Sequence, residues 1–367
     1  MTRVLLVTND FPPTLGGIQS YLRDFVAALN PADTVVFAST QNKHAAAQFD
    51  AAQDYRVIRW PRKIMLPTPA TTREMCRIIQ REKIDTVWFG AAAPLGLMAK
   101  AAREAGATHI VATTHGHEVG WAMIPGARQL LARIGAHCDV ITYISEYTLK
   151  RIRGAFGEHP HYAALPSGVD TEAFRPLTHP GTEFRGQTPQ VVCVSRLVRR
   201  KGQDALIKVW PEVREHFPTA ELSIVGDGPY ARGLKKLAQH TEGVTLTGRT
   251  SVSRMRELIA SADIFVMPAR TRLGGIDVEG LGIVYLEAQA SGVPVIAGDS
   301  GGAPETLTPD SGIVVDGRDL EELASAIITL LGDPQRRARM GRAGREHAVT
   351  VWSSQRMSEQ LRTVLKV

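Results

Sequence analysis

Glu279 and Glu287 close the two ends of the stretch EGLGIVYLE, with seven residues between them and a Gly-Leu-Gly turn directly after the first. A carboxylate is seldom placed near a core without a partner, so each awaits a hydrogen-bond donor from the protein or from a ligand. Cations stand upstream, where VSRLVRRKGQD follows a strand-like run and supplies Arg196, Arg199, Arg200 and Lys201 before a helical one. One or two of these turned inward would neutralise a diphosphate, Arg as a forked bidentate donor and Lys as a point charge, with the rest solvated. Alone, such a cluster reads as a basic loop in water.

Three other stretches carry possible chemistry. NDFPPTLGGIQSYL places Gly16 and Gly17 at a helix start, where backbone N–H groups can approach a phosphate or a sugar with no Cβ in the way. An ordinary turn between strand and helix uses the same pair equally well. TTHGHEVG offers His115, His117 and Glu118, but no further His or Cys cluster completes a metal site. Alternation along a strand end would point the two rings to opposite sides, so one histidine serves the site and the other is structural, with His115, nearer the strand, the choice for the site. Between Arg56 and Lys83, eight basic residues face two acidic ones, interleaved with Trp60, Ile64, Met65 and Leu66. Arg73, Arg77 and Arg81 fall on one helix face, which suits either an anionic membrane surface or plain solvent. VGDGPY is chiefly a turn signature. Arginines 336, 337, 339, 342 and 345 read as solvated helix decoration.

The elements that must position these groups alternate regularly. Strand-like runs at 3–8, 34–39, 85–90, 109–114 and 139–144 are separated by amphipathic segments, the pattern of βαβ units on a parallel sheet. A loop-rich passage at 166–189 contains Pro166, Pro176, Pro180 and Pro189, after which runs at 190–195, 221–226, 244–248, 263–268 and 293–298 begin a second sheet. The expected fold class is α/β, with two Rossmann-like doubly wound domains facing a cleft. The first spans residues 1–170 and the second 171–345, and a helix at 346–367 packs back on the first. Open α/β sheets bind ligands beyond the carboxyl ends of their strands, which is where the residues above fall.

At 367 residues, two cores are the default. A hydrophobic content of 44% with 22% charged residues excludes extended disorder. Net charge of +6 favours anionic partners. Cys76, Cys138 and Cys193 lie far apart without CxxC spacing, which points to reduced thiols and a cytoplasmic setting. The amino terminus lacks a signal-peptide pattern and no uncharged run approaches the ~18 residues of a membrane span. No GxSxG elbow or P-loop is present.

Taken together, GGIQ, SRLVRRKG, GDGP and EGLGIVYLEAQASGVPVIA resemble the retaining glycosyltransferases of family 4, with their GT-B fold, over nearly the whole chain. LPSGVDTEAF at 165–174 is similar to that family's interdomain linker. The start NDFPPTLGGIQSYL and the stretch from PARTRLGGIDV to GDSGGAPE further resemble the actinobacterial mannosyltransferases that add the second mannose to phosphatidylinositol monomannoside from GDP-mannose. The resemblance implies that Glu287 binds the donor ribose and Glu279 the transferred sugar. Arg196 and Lys201 hold the diphosphate, joined by backbone N–H groups of Gly282, Ile283 and Val284. Gly16 and Gly17 leave room at the reacting centre, His115 lies near the sugar, and Arg249, Thr250 and Ser251 lie beside the base. It also implies no required cofactor or metal, since no DxD motif occurs and Arg and Lys can supply the charge. The acceptor is a phosphoinositide glycolipid reached at the inner face of the cell membrane through residues 56–83, with no role for nucleic acid. A UDP-sugar donor or another acceptor is the alternative. Leu281, where many members carry Phe, and the long ARTRLGGIDV imply a reshaped sugar and acceptor pocket.

Overall fold

The computed structural model describes residues 2–14, 16–177 and 188–367, so Pro180 of the expected linker lies outside the described residues. The chain divides into two compact units, one of residues 1–167 and 357–367, the other of residues 168–356.

The first unit is built on seven parallel strands: β1 (Val4–Thr8), β2 (Thr34–Ala38), β3 (Arg56–Arg59), β4 (Thr86–Phe89), β5 (His109–Thr113), β6 (Val140–Tyr143) and β7 (His161–Ala164). Their order across the sheet is β3-β2-β1-β4-β5-β6-β7. β1, β2, β4 and β5 are buried at every position, because helices cover both faces and a central parallel strand must be apolar on both sides. Alternation sorts the side chains: Leu5 and Val7 join one core with Val35 and Val87, while Val4 and Leu6 join another with Leu22 and Trp88. That second core is completed by the chain's last helix, Ser354–Leu365, through Met357, Leu361 and Leu365. Thr86 donates to the carbonyl of Leu365 at 3.1 Å, and His109 Nε2 donates to that of Val364 at 2.8 Å. The returning helix is therefore shorter than the expected 346–367, since residues 346–351 continue the preceding helix, Pro334–Val351, in the second unit.

The second unit carries six parallel strands: β8 (Gln190–Val194), β9 (Glu221–Val225), β10 (Val244–Gly248), β11 (Ile264–Met267), β12 (Val295–Gly298) and β13 (Gly312–Val315). Their order is β10-β9-β8-β11-β12-β13. Both sheets thus reverse direction once, between β1 and β4 and between β8 and β11, and a doubly wound sheet opens a crevice at that point. Two arginines expected in solvent are structural here. Arg337 is buried and donates to the carbonyls of Leu330 and Leu331, and Arg345 donates to those of Thr171, Phe174 and Ala290 at 2.8–2.9 Å. Each guanidinium collects carbonyls that the surrounding helix and loop ends leave open.

Candidate active site

In the second unit, the loop after β8 and the loop after β11 meet at the reversal of strand order. The first ends in a single 3-10 turn, Arg199–Lys201, and buries Lys201. The second brings in Glu279, also buried. Lys201 Nζ lies 2.6 Å from Glu279 Oε2, and Arg200 Nε approaches the same oxygen at 3.9 Å. Among the described residues no well-aligned hydrogen bond reaches Oε2, so the contact is first of all one of opposite charges. Arg200 also reaches Asp277 at 3.5 Å, and Asp277 holds Arg272 at 3.2 Å. Arg199 instead lies 4.6 Å over the Tyr230 ring, so of the two arginines left open by the sequence it is Arg200 that faces Glu279. The GDGP turn braces this loop: the Leu197 N–H donates to the Asp227 carbonyl at 3.0 Å, and the Tyr230 N–H to the Leu197 carbonyl at 3.0 Å. Arg196 is exposed.

Glu279 leads into the helix Ile283–Ala290, whose start is set by Gly282 at φ 88°. A Cβ there would sit 2.5 Å from the Tyr285 ring, in a backbone region that L residues avoid. Tyr285 is fixed by its hydroxyl, which donates to the Met267 carbonyl at 2.7 Å. About one turn into the helix, Glu287 keeps one carboxylate oxygen buried without a hydrogen-bond partner among the described residues. Burial pushes its carboxyl up to about 7, against the opposing charge of Arg256. Arg256 stacks over Phe174 at 5.1 Å with its Nε likewise unpartnered among those residues. Its helix, Val252–Ser261, is capped by Ser251, whose hydroxyl accepts from the Arg254 N–H at 3.1 Å. Arg249 is exposed and Thr250 half-buried just ahead of that cap. Two orphaned polar atoms of opposite charge in one place are costly unless a ligand completes them.

The first unit holds a second group at its own reversal point. Helix Gly17–Ala27 begins after β1, with Gly16 as its uncapped N-terminal neighbour. A Cβ at Gly17 would meet nothing within 4 Å, whereas one at Gly16 would strike the Gln19 amide. Gln19 donates to Asp10 at 2.8 Å, and burial raises the Asp10 carboxyl despite the nearby His117. His115 Nε2 lies 2.7 Å from the Gly90 carbonyl after β4. A carbonyl can only accept, so Nε2 carries the proton and Nδ1 is left as an acceptor. Burial lowers His115 to about 4, leaving the ring neutral. The two histidine rings are parallel, with centroids 6.5 Å apart, rather than on opposite sides. β5 ends at Thr113 and Gly116 turns the chain at φ 96°, so strand alternation does not extend to them. Glu118, fully buried, accepts from the His115 N–H at 3.1 Å and meets His117 at 3.2 Å.

Asn9 clamps another segment to the end of β1, donating to the Met65 carbonyl at 2.9 Å and accepting from the Met65 N–H at 2.6 Å. With Met65 buried, Ile64 and Leu66 on either side are 65% and 53% exposed beside exposed Arg62 and Lys63. The charge of the 56–83 region is smaller than its count. Arg56 and Arg81 pair with Glu82, Arg59 with Asp50 and Arg77 with Glu74. The expected helix is Pro69–Glu82, with Met75, Ile78 and Ile79 buried.

Residues 15–173 match the family described as Glycosyltransferase Family 4, and residues 174–347 match Glycosyl transferases group 1. A Corynebacterium glutamicum protein, "GDP-mannose-dependent monoacylated alpha-(1-6)-phosphatidylinositol monomannoside mannosyltransferase", is 56% identical over 99% of this chain and 98% of its own. The chain is a family 4 glycosyltransferase. A Mycobacterium tuberculosis "GDP-mannose-dependent alpha-(1-6)-phosphatidylinositol monomannoside mannosyltransferase" is 50% identical over 100% of this chain and 98% of that one. The fold is shared with Anabaena Alr3699/HepE, TM-score 0.79 and 17% identity, covering 100% of both chains. It is shared too with sucrose-phosphate synthase from Thermosynechococcus elongatus, TM-score 0.78 and 20% identity, over 100% and 98%. These matches place the glycosyltransferase among GT-B proteins of two parallel-sheet domains.

Asp10, Gln19 and Arg256 escaped the sequence reading. Asp10 was within reach, as a carboxylate directly after the first strand and before the glycine pair. Arg256 carried no signal, being one arginine among several in a helical run.

Proposed function

We propose that this glycosyltransferase moves mannose, with retention, from GDP-mannose to the inositol 6-position of a phosphatidylinositol monomannoside. The second unit holds the donor and the first presents the acceptor. The observation that carries the reading is the buried Lys201–Glu279 contact at the reversal point of the second sheet, in a chain 56% identical to a relative bearing that name.

A donor entering there exchanges partners with the pair. Lys201, with Arg196, neutralises the diphosphate, and Glu279 accepts from hydroxyls of the sugar. The free N–H groups of Ile283 and Val284 at their helix start add donors to the phosphate. Glu287 accepts from the ribose hydroxyls, answering its unpartnered oxygen, and the segment Arg249, Thr250 and Ser251 lies beside the base. On the acceptor side, Gly16 and Gly17 leave the space that a sugar needs. Neutral His115 turns its Nδ1 lone pair to a sugar hydroxyl.

With Glu279 engaged by the sugar hydroxyls, the leaving phosphate oxygen takes the proton of the attacking hydroxyl. The anomeric carbon–phosphate oxygen bond breaks as the new glycosidic bond forms on the same face. Fixed cations supply the charge, so the reaction proceeds without a divalent ion. No helix among the described residues is long and apolar enough to cross a membrane. Ile64 and Leu66 with Arg62 and Lys63 instead rest on the inner membrane face, where the lipid acceptor lies.

Calorimetric titration with GDP-mannose and UDP-glucose in EDTA, on wild type and Glu287→Ala, tests the donor assignment. Selective GDP-mannose binding that the substitution abolishes is expected. Preference for the UDP-sugar would overturn the donor, and dependence on added metal would overturn the metal-free route.

A further inference from the structure

A second concentration of charge in the donor-binding unit is used by none of the roles above. A cavity of about 440 Å³ is lined by Ala205, Lys208, Arg270, Thr271, Arg272, Leu273, Arg318 and Leu320. It adjoins the Lys201 and Glu279 network through Arg272 and Asp277, but Lys201, Glu279 and Glu287 do not line it. Four of its lining residues are cations and none is an acid. Arg270 is paired with Asp204 at 2.7 Å, and Arg272 at 3.2 Å with Asp277, which it shares with Arg200. Arg318 donates to the Thr271 carbonyl, and Lys208 is exposed on its helix, Gln203–His216. Among the described residues, Lys208 and Arg318 are therefore in no ion pair and can face an anion.

The rim of this cavity is apolar in an unusual way. Arg272 and Asp277 pair through their backbones, the Arg272 N–H donating to the Asp277 carbonyl at 2.9 Å, and close a short hairpin. At its tip Leu273 is 67% and Ile276 58% exposed. Leu273 is held at φ 51°, a left-handed conformation in which Gly or Asn is the ordinary choice. Leu320 lies beside them, 40% exposed. A loop adapted to water has no use for two branched apolar side chains held outward, one of them at a strained position. Apolar tips ringed by lysine and arginine fit the boundary between the headgroups and acyl chains of an anionic bilayer.

We propose that this patch is a phospholipid contact of the second unit. Leu273 and Ile276 enter the bilayer surface, and Lys208 and Arg318 take the phosphate of an anionic headgroup in the cavity. This contact is distinct from the one proposed at residues 62–66 and does not depend on the donor being GDP-mannose.

The test is co-sedimentation of the full chain with phosphatidylglycerol-containing and pure phosphatidylcholine vesicles at low salt. The variants are Leu273→Asn, Leu273→Asp with Ile276→Asp, and Lys208→Ala with Arg318→Ala. Partition to the anionic vesicles is expected to fall more than tenfold for the double aspartate. Each cation removed should lower it about fivefold. Leu273→Asn, which suits the left-handed backbone, should keep the fold and still lose partition. GDP-mannose titration of each variant reports on the fold and on the donor site, so failure of the donor reading shows there and failure of this one shows in the vesicles. Unchanged partition in all three variants would overturn the proposal. So would inorganic phosphate binding in the cavity without any vesicle binding, which would make it a site for a free anion.

Discussion

Replacing Glu287 with Gln should make the protein more stable and a poorer enzyme, and the structure sets the size of the first effect. Burial raises the carboxyl from 4.5 to about 7. Each tenfold change in proton affinity is worth about 1.4 kcal/mol, so once ionised the folded state carries a cost of about 3 kcal/mol. Below pH 4.5 the group is protonated in both folded and unfolded chains and contributes nothing to stability. Between 4.5 and about 7 the unfolded chain gives up its proton while the folded one keeps it, so stability falls as pH rises. Above about 7 both states are ionised and the loss is complete. Glu287→Gln removes this slope. Urea unfolding of the second unit at pH 5, 6, 7 and 8 should therefore show the variant ahead by about 1 kcal/mol at the lowest pH and about 3 kcal/mol at the highest. The same charge should serve the donor. Ribose hydroxyls donating to the carboxylate favour its ionised form, so GDP-mannose binding below pH 7 should release a proton, visible as a dependence of the binding heat on buffer. The variant should release none. Parallel stability curves for the two proteins would refute the reasoning, because they would mean that Arg256 already holds Glu287 ionised in the empty site.

Lys201→Met leaves Glu279 buried with only Arg200, 3.9 Å away, and should cost about 3–5 kcal/mol, as loss of one member of a buried pair does. Adding Glu279→Gln should restore at least half of that in urea unfolding, while neither variant turns over GDP-mannose. His115, held neutral with its pKa near 4, should impose no step on turnover between pH 6 and 8. An inflection there that disappears in His115→Ala would show that the ring ionises in that range. Truncation after Ser353 removes Met357, Leu361, Val364 and Leu365 from the core of the first unit. At about 1.5–3 kcal/mol per buried side chain this approaches the whole stability of a domain, so the first unit should become protease-sensitive while the second remains resistant.

The central strands were legible because burial on both faces demands continuous apolar runs, as in VLLVT and QVVCV. The strands missed, β3, β7 and β13, all lie at sheet edges. There one side meets solvent, and sequences such as RVIR and HYAA carry polar residues that hide the pattern. The arginines of the late helix were misread for a related reason. Arg337 and Arg345 sit on an otherwise charged run, and nothing local distinguishes a guanidinium that collects buried carbonyls from one in water.

The site divides along the same line. Residue types and local spacing marked Lys201, Glu279, Gly282 and Glu287, because a glycine-started helix flanked by carboxylates is a property of a few consecutive residues. What Glu279 touches is a property of the sheet. Lys201 and Glu279 lie far apart in sequence and meet because β8 and β11, on which their loops depend, are neighbours at the one place where strand order reverses. In the first unit the adjacency of β4 and β5 likewise brings the Gly90 carbonyl within 2.7 Å of His115. A parallel sheet wound in both directions leaves its strand ends uncovered only at that reversal, because elsewhere each connection packs over its neighbour. Buried charge can therefore collect there without water and without apolar cover. For this reason the buried contact of Lys201 with Glu279 is a physical consequence of the topology: the two loops that carry it are brought together by strand order and not by any local feature of sequence.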